Sequence, residues 1–82
     1  MNASEKVNMN ASDYAIIVEP LAVEDGGGFV ATVPDLPGCM SDGESPQEAV
    51  ANVQDAIRTW IEAAEDLGHL VPKPTRRIAL TA

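Results

Sequence analysis

The chain has 82 residues, of which 45% are hydrophobic and 22% charged, and its formal net charge at pH 7 is −8. This length allows a single domain, and the apolar fraction suffices for a core, which argues against wholesale disorder. The acidic charge repels phosphate backbones, so direct nucleic-acid binding is disfavoured and a basic partner is favoured. The same charge also serves simple solubility.

The sequence shows no targeting or membrane signal. No apolar run approaches the roughly 20 residues of a membrane span, and the N-terminus lacks the apolar segment of a secretory signal. We therefore expect a cytoplasmic protein without membrane association. Residues 1–12 are polar and aperiodic, which predicts a flexible N-terminal tail at 1–12 and one domain at 13–82. Met9 repeats the sequence context of Met1 and is a second candidate translation start.

Three short strands are predicted in the first half of the domain. The first begins near Tyr14 and runs to Glu19, is rich in β-branched residues and has two partly apolar faces, before Pro20 weakens or ends its ladder. The second spans 29–33 and the third spans 39–42. The first two strands should form an antiparallel hairpin.

Two turn signals separate these strands. The segment 24–28 ends in three consecutive glycines, which tolerate the positive φ angles of tight reversals. A phosphate-binding loop is excluded there, because acids precede the glycines, no basic residue follows and a strand comes next. Pro37 and Gly38 suit the two central positions of a type II turn.

One long helix is predicted from Pro46 to Leu67. Ser45 is a suitable N-cap, Pro46 fits the first helical position, and Glu48 completes a capping box. Gly68 is a natural stop. Apolar residues recur every three or four positions and form one stripe that should pack on the sheet: Ala49, Val50, Val53, Ala56, Ile57, Trp60, Ile61, Ala64 and Leu67.

After the helix, residues 71–74 form a proline-containing linker, and residues 77–81 are a predicted fourth strand. The predicted order is therefore β-β-β-α-β, an α+β arrangement in which an antiparallel three-stranded sheet is packed by one long helix and extended by that fourth strand.

The segment from Tyr14 to Pro74 resembles the HicB-like antitoxin family. The resemblance rests on Val-Pro-Asp-Leu-Pro-Gly-Cys at 33–39, followed by Asp-Gly-x-Ser-x-x-Glu-Ala at 42–49 and the long helix. It implies a partial ribonuclease-H-like fold and a homo-oligomer, either a dimer or a tetramer. It also implies a HicA-type toxin as partner, a small basic messenger-RNA-cleaving protein that the antitoxin binds and silences.

The chain departs from the family pattern at one place. Many HicB proteins carry a C-terminal DNA-binding domain, and the residues from Thr75 to Ala82 are too few for one. Operator binding by this chain is therefore not expected.

The resemblance to ribonuclease H raises the question of metal-dependent nuclease chemistry. Such chemistry needs several carboxylates that converge on divalent ions. The acids Glu19, Asp35, Asp42 and Glu44 lie at predicted strand ends and turns, and no spacing groups them. We interpret them as solvated turn residues and predict no enzymatic activity, no metal and no cofactor.

The remaining candidates also have ordinary interpretations. His69 follows the helix stop without a nucleophile or an organised acid beside it, so a surface or capping role is preferred to a general base. Cys39 suits a small apolar position at the start of a strand. Trp60 belongs to the helix stripe and should pack in the core, but partial exposure would let it anchor a subunit interface.

The leading hypothesis is a non-enzymatic, toxin-neutralising binding module. Its acidic face would dock on the RNA-binding surface of the toxin, with Asp35, Asp42 and Glu44 as members of that face. Two alternatives remain open: an orphan oligomeric scaffold that no longer pairs with a toxin, and a residual metal-dependent nuclease.

Overall fold

A computed structural model describes residues 11–75. The three strands are β1 at Ile17–Pro20, β2 at Phe29–Thr32 and β3 at Met40–Gly43, and the helix α1 spans Pro46–Asp66. The strands form one antiparallel sheet in the order β1-β2-β3. The predicted α+β class and its β-β-β-α order are confirmed, whereas the predicted fourth strand at 77–81 lies outside the described residues.

The first strand begins three residues later than predicted. Residues 11–13 form a short 3-10 turn, and the Tyr14 backbone N–H donates to the Ala11 carbonyl at 3.4 Å. The Tyr14 side chain is buried, and its hydroxyl donates to the Pro72 carbonyl at 2.6 Å. Tyr14 therefore belongs to a tertiary contact and not to the ladder, which ends at Pro20 as predicted. Ala11, which falls inside the predicted tail, is also buried in the core.

Both turns adopt the conformations that their glycines favour. The φ angles of Gly26, Gly27 and Gly28 are all positive, which closes the β1–β2 connection. In the β2–β3 turn the Cys39 N–H donates to the Leu36 carbonyl at 2.9 Å, and Gly38 has a φ of 80°. That combination confirms the predicted type II turn.

The start of α1 follows the predicted capping pattern with one difference. Ser45 is the N-cap, and its hydroxyl accepts a hydrogen bond from the Glu48 N–H at 3.1 Å. The Glu48 carboxylate, however, accepts from the N–H of Glu44 and not from that of Ser45. The capping box is thus shifted by one residue, so that Glu48 also ties the end of the β3 segment to the helix.

The end of α1 differs from the prediction, because Leu67 does not belong to the core. The helix is 21 residues long, about 31 Å at ~1.5 Å per residue, whereas each strand has four residues and spans only about 13 Å. The helix therefore extends beyond the sheet. Leu67, predicted to pack on the sheet, is 69% exposed because none of β1, β2 and β3 reaches the last turn, and Gly68 follows the helix with a φ of 75°.

The core lies between α1 and one face of the sheet, and its largest fully buried side chains are Leu36, Val53 and Ile57. The sheet can approach the helix closely because Gly43 faces the first turn of α1. A Cβ on Gly43 would lie 2.5 Å from the Ala49 nitrogen. This close approach fixes the start of the helix directly against the end of β3.

Candidate partner-binding surface

A groove with a volume of about 280 Å³ lies where β3 meets the start of α1. We call it the acidic groove. Its lining combines the glycine turn with carboxylates and one amide: Gly26, Gly27, Gly28, Asp42, Gly43, Glu44, Glu48 and Asn52. The glycine turn, predicted only as a chain reversal, therefore forms one wall of this groove.

Hydrogen bonds from α1 hold this region in place. Asn52 donates its side-chain N–H to the Asp42 carbonyl at 2.8 Å, and Glu48 accepts from the Glu44 N–H. The side chains of Asp42, Glu44 and Glu48 are exposed. Glu44 and Glu48 flank Ser45, the N-cap of α1, and Asp42 lies at the end of β3 that leads into it. The groove therefore presents fixed negative charge that a cationic side chain can approach.

The structure brings Asp42 and Glu44 together but places Asp35 elsewhere. Asp35 lies in the β2–β3 connection, whereas Asp42 and Glu44 lie at the opposite end of β3. Both carboxylate oxygens of Asp35 already accept hydrogen bonds, one from the Thr75 N–H and one from its hydroxyl, each at 2.8 Å. The three acids of the predicted face therefore lie at two separate places on the surface.

Asp35 belongs to a cluster that holds the segment 71–75 in place. The backbone N–H of Thr75, followed by its hydroxyl, lowers the pKa of the Asp35 carboxyl. Burial raises the pKa of the nearby Tyr14 hydroxyl, and the charges of Asp35 and Asp13 raise it further. Tyr14 and Asp35 hence bind the segment at Pro72 and at Thr75.

Trp60 is only partly buried and packs against the core, and its indole N–H donates to the Pro37 carbonyl at 3.0 Å. The helix stripe predicted this packing. The bond to Pro37 joins α1 to the β2–β3 turn, a contact between residues 23 positions apart that no local pattern encodes.

The other candidates stay close to their ordinary interpretations. Cys39 is buried with a free thiol, and burial raises the pKa of that thiol, which makes it less reactive. His69 is exposed beyond the helix end.

Within residues 11–75, no three His, Cys, Asp or Glu side chains lie close enough to hold a metal ion. Over the same stretch, no helix is both long and apolar enough to traverse a bilayer.

Sequence reasoning missed Asn52 and the groove contribution of Glu48. Glu48 was interpreted as the capping-box residue of the helix, and Asn52 was given no role. The available signal was their spacing: positions 48 and 52 are four residues apart and share one side of α1. Which strand that side would meet depended on tertiary packing.

The fold and the groove define a small α+β domain with an acidic surface and a helix on one face of its sheet. Residues 14–81 match the family model described as the HicB-like antitoxin of bacterial toxin–antitoxin systems. The chain therefore belongs to the HicB-like antitoxin family. This membership implies a toxin as the kind of partner and suggests a non-enzymatic role.

Similar proteins come from several microbes. A UPF0150 protein of Thermoplasma acidophilum is 33% identical over 60 residues, which cover 73% of this chain and 83% of that protein. A UPF0150 protein of Synechocystis is 33% identical and covers 82% of this chain and 88% of its own length. One from Helicobacter pylori is 33% identical over 71% of this chain and 83% of its own. Their lengths match a domain of this size.

Proposed function

We propose that the chain is the antitoxin of a type II toxin–antitoxin pair and neutralises a small, basic, HicA-type mRNA-cleaving toxin by binding it. The observation that carries the proposal is the antitoxin family match over residues 14–81. The formal charge of −8 supports it, since a basic toxin would be attracted over long range. Neutralisation requires only that the bound antitoxin exclude RNA, so no bond-making step is assigned to this chain.

Asp42 and Glu44 are proposed contacts to the toxin, together with Glu48 of the acidic groove. These carboxylates are exposed, and none is neutralised by an ion pair with another of residues 11–75. Lys and Arg occur between residues 11 and 75 only as Arg58 and Lys73, and Arg58 pairs with Asp55 at 2.6 Å. Asp35 is proposed to support the same role indirectly, since its carboxylate holds the segment 71–75.

The proposal includes a cytoplasmic homo-oligomer, a dimer or a tetramer, because a domain of this size buries little surface alone. Exposed leucines directly after α1 support such an interface. Leu67, the C-cap of α1, is 69% exposed and Leu70 is 94% exposed, and Trp60 lies on α1 two turns before Leu67. A sedimentation measurement of wild type against a Leu67→Ser, Leu70→Ser variant tests it: the variant should be monomeric, and an unchanged mass would contradict this interface.

The antitoxin proposal is tested by co-expression with the small basic protein encoded next to it. The two proteins should co-purify, and purified antitoxin should stop RNA cleavage by the toxin in a stoichiometric and not a catalytic manner. Added salt should slow association, because charge complementarity acts mainly on the association rate. A toxin that stays fully active in excess antitoxin would overturn the proposal.

A further inference from the structure

The helix covers only one face of the sheet, and the opposite face carries an unusual combination of side chains. Ala31 of β2 is fully buried under α1, so its neighbours Val30 and Thr32 point to the other side. Directly paired residues of antiparallel strands share a face. The register therefore defines this outer face, which consists of Ile17, Glu19, Val30, Thr32, Met40 and Asp42.

The outer face has one apolar row. Thr32 pairs with Ile17 on one side and with Met40 on the other. Ile17 is 48% exposed and Met40 is 55% exposed, so neither side chain is covered by the described part of the chain. Two large apolar side chains exposed on one row of a sheet are a feature of contact surfaces.

The neighbouring row is acidic at both ends. Val30 pairs with Glu19 on β1 and with Asp42 on β3. Adjacent strands are ~4.8 Å apart, so the two acidic positions lie roughly 10 Å from each other across Val30. Neither carboxylate has a hydrogen bond or an ion pair to another of residues 11–75, and both side chains are exposed.

From this arrangement we infer that the outer face binds an extended or flat segment of a basic protein, with apolar side chains on Ile17 and Met40 and a Lys or Arg over Val30 between Glu19 and Asp42. The inference rests on the proposed antitoxin function and names the surface that the toxin occupies. Asp42 connects this face to the acidic groove, because the same residue also lines that groove.

The negative charge of the outer face favours a basic protein over two other candidate partners, a second copy of this chain and a nucleic acid. A second copy stacked face to face would bring its own Glu19 and Asp42 against the first pair, and like charges repel. A nucleic acid would meet the same carboxylates with its phosphates. A basic partner alone gains from both rows, because the apolar row supplies contact area and the acidic row supplies attraction.

The test compares matched variants in binding to the toxin encoded beside this chain. Glu19→Gln with Asp42→Asn removes two charges from the outer face, and Glu62→Gln with Glu65→Gln removes two from the solvent side of α1. The first pair should weaken binding at least about fivefold and slow association, whereas the second pair should change the Kd less than about twofold. Met40→Ser should weaken binding about fivefold, and Val23→Ser, at an 87% exposed turn position, should not.

The outcomes separate this inference from the proposed function. If the toxin binds wild type and every variant equally, the outer face is not the binding surface, but the antitoxin proposal stands. If the toxin does not bind wild type at all, the antitoxin proposal fails, and an alternating lysine–valine octapeptide then serves as the probe. Binding of that peptide should weaken in the Glu19→Gln, Asp42→Asn variant, and equal binding would overturn the inference.

Two further measurements distinguish a lost contact from unfolding and from self-association. Melting temperatures of all variants should stay near wild type, because the substituted side chains are largely exposed. Sedimentation should show the same mass for wild type and the Met40→Ser variant. A lower mass would mean that a second copy covers the outer face, which would overturn the inference.

Discussion

Both carboxylate oxygens of Asp35 accept hydrogen bonds from Thr75, which lies 40 residues further along the chain. One bond comes from the backbone N–H and the other from the hydroxyl, so a single side chain holds the segment 71–75 beside the β2–β3 turn. Tyr14 holds the same segment at Pro72. Asp35, which the sequence suggested as a partner contact, therefore makes a defined intramolecular contact.

Asp35→Asn should lower the melting temperature, because the amide keeps one acceptor oxygen, replaces the other by a nitrogen that cannot accept from Thr75, and removes the charge that strengthens both bonds. Thr75→Ala should have a smaller effect, since it keeps the bond from the backbone N–H to a charged carboxylate. Thermal unfolding followed by circular dichroism measures both, and Asp25→Asn, in an exposed turn, is the control. An Asp35→Asn protein as stable as wild type would show that these bonds contribute nothing to stability.

The contact between Asp35 and Thr75 should make the stability of the folded chain depend on pH. The pKa of Asp35 is lowered from its ordinary value of 3.8, so the folded chain binds this proton less tightly than the unfolded chain does. Its stabilising contribution is present above pH 3.8 and is lost as the pH falls through the lower pKa of the folded state. The difference in melting temperature between wild type and Asp35→Asn should therefore shrink below that pH, and a difference that grows in acid would contradict the assignment.

Two leucine-sized residues of the same helix stripe should respond differently to truncation. Ile57 is fully buried, so Ile57→Ala should reduce the free energy of unfolding by roughly 2–5 kcal/mol. Leu67 is 69% exposed, so Leu67→Ala should change it by less than about 0.5 kcal/mol in the monomer. Urea unfolding at low protein concentration measures both values. Equal losses of unfolding free energy would mean that α1 does not extend beyond the sheet.

The N-cap of α1 should contribute measurably to stability. Ser45→Ala removes the oxygen that accepts from the Glu48 N–H and should cost about 1 kcal/mol of unfolding free energy. Ser45→Asp keeps an acceptor and should retain most of the stability. If both variants lose the same amount in urea unfolding, the hydroxyl is not the capping group.

Two adjacent glycines of the acidic groove provide a matched comparison. Gly27 and Gly28 have φ angles of 70° and 76°, so alanine at either position meets the same backbone strain. A Cβ on Gly28 would also lie 2.6 Å from the Gly43 carbonyl oxygen, whereas one on Gly27 meets nothing within 4 Å. Gly28→Ala should therefore unfold at lower urea concentration than Gly27→Ala, and the reverse order would contradict this close approach.

Much of the fold was predictable from local signals. The Ser45 cap, the apolar stripe of α1 and the glycine stop at Gly68 placed the helix within one residue of its observed end. The strand positions were correct to within one residue for β2 and β3, while β1 was predicted to begin too early because Tyr14 resembles a strand residue in sequence. The candidate site was harder to predict, since Asp42 and Glu44 come together with Asn52 only after β3 packs on α1.

The sequence by itself determined the helix, the two turns, the acidic charge and the family resemblance, because each depends on residues that are close in the chain or on composition. Only the tertiary structure decided that Asp35 bonds Thr75, that Leu67 lies beyond the sheet and that Glu19 and Asp42 flank Val30. These relationships depend on strand register and on how far the helix extends over the sheet. Register and overhang arise from packing between distant segments, and no local pattern of residues encodes them.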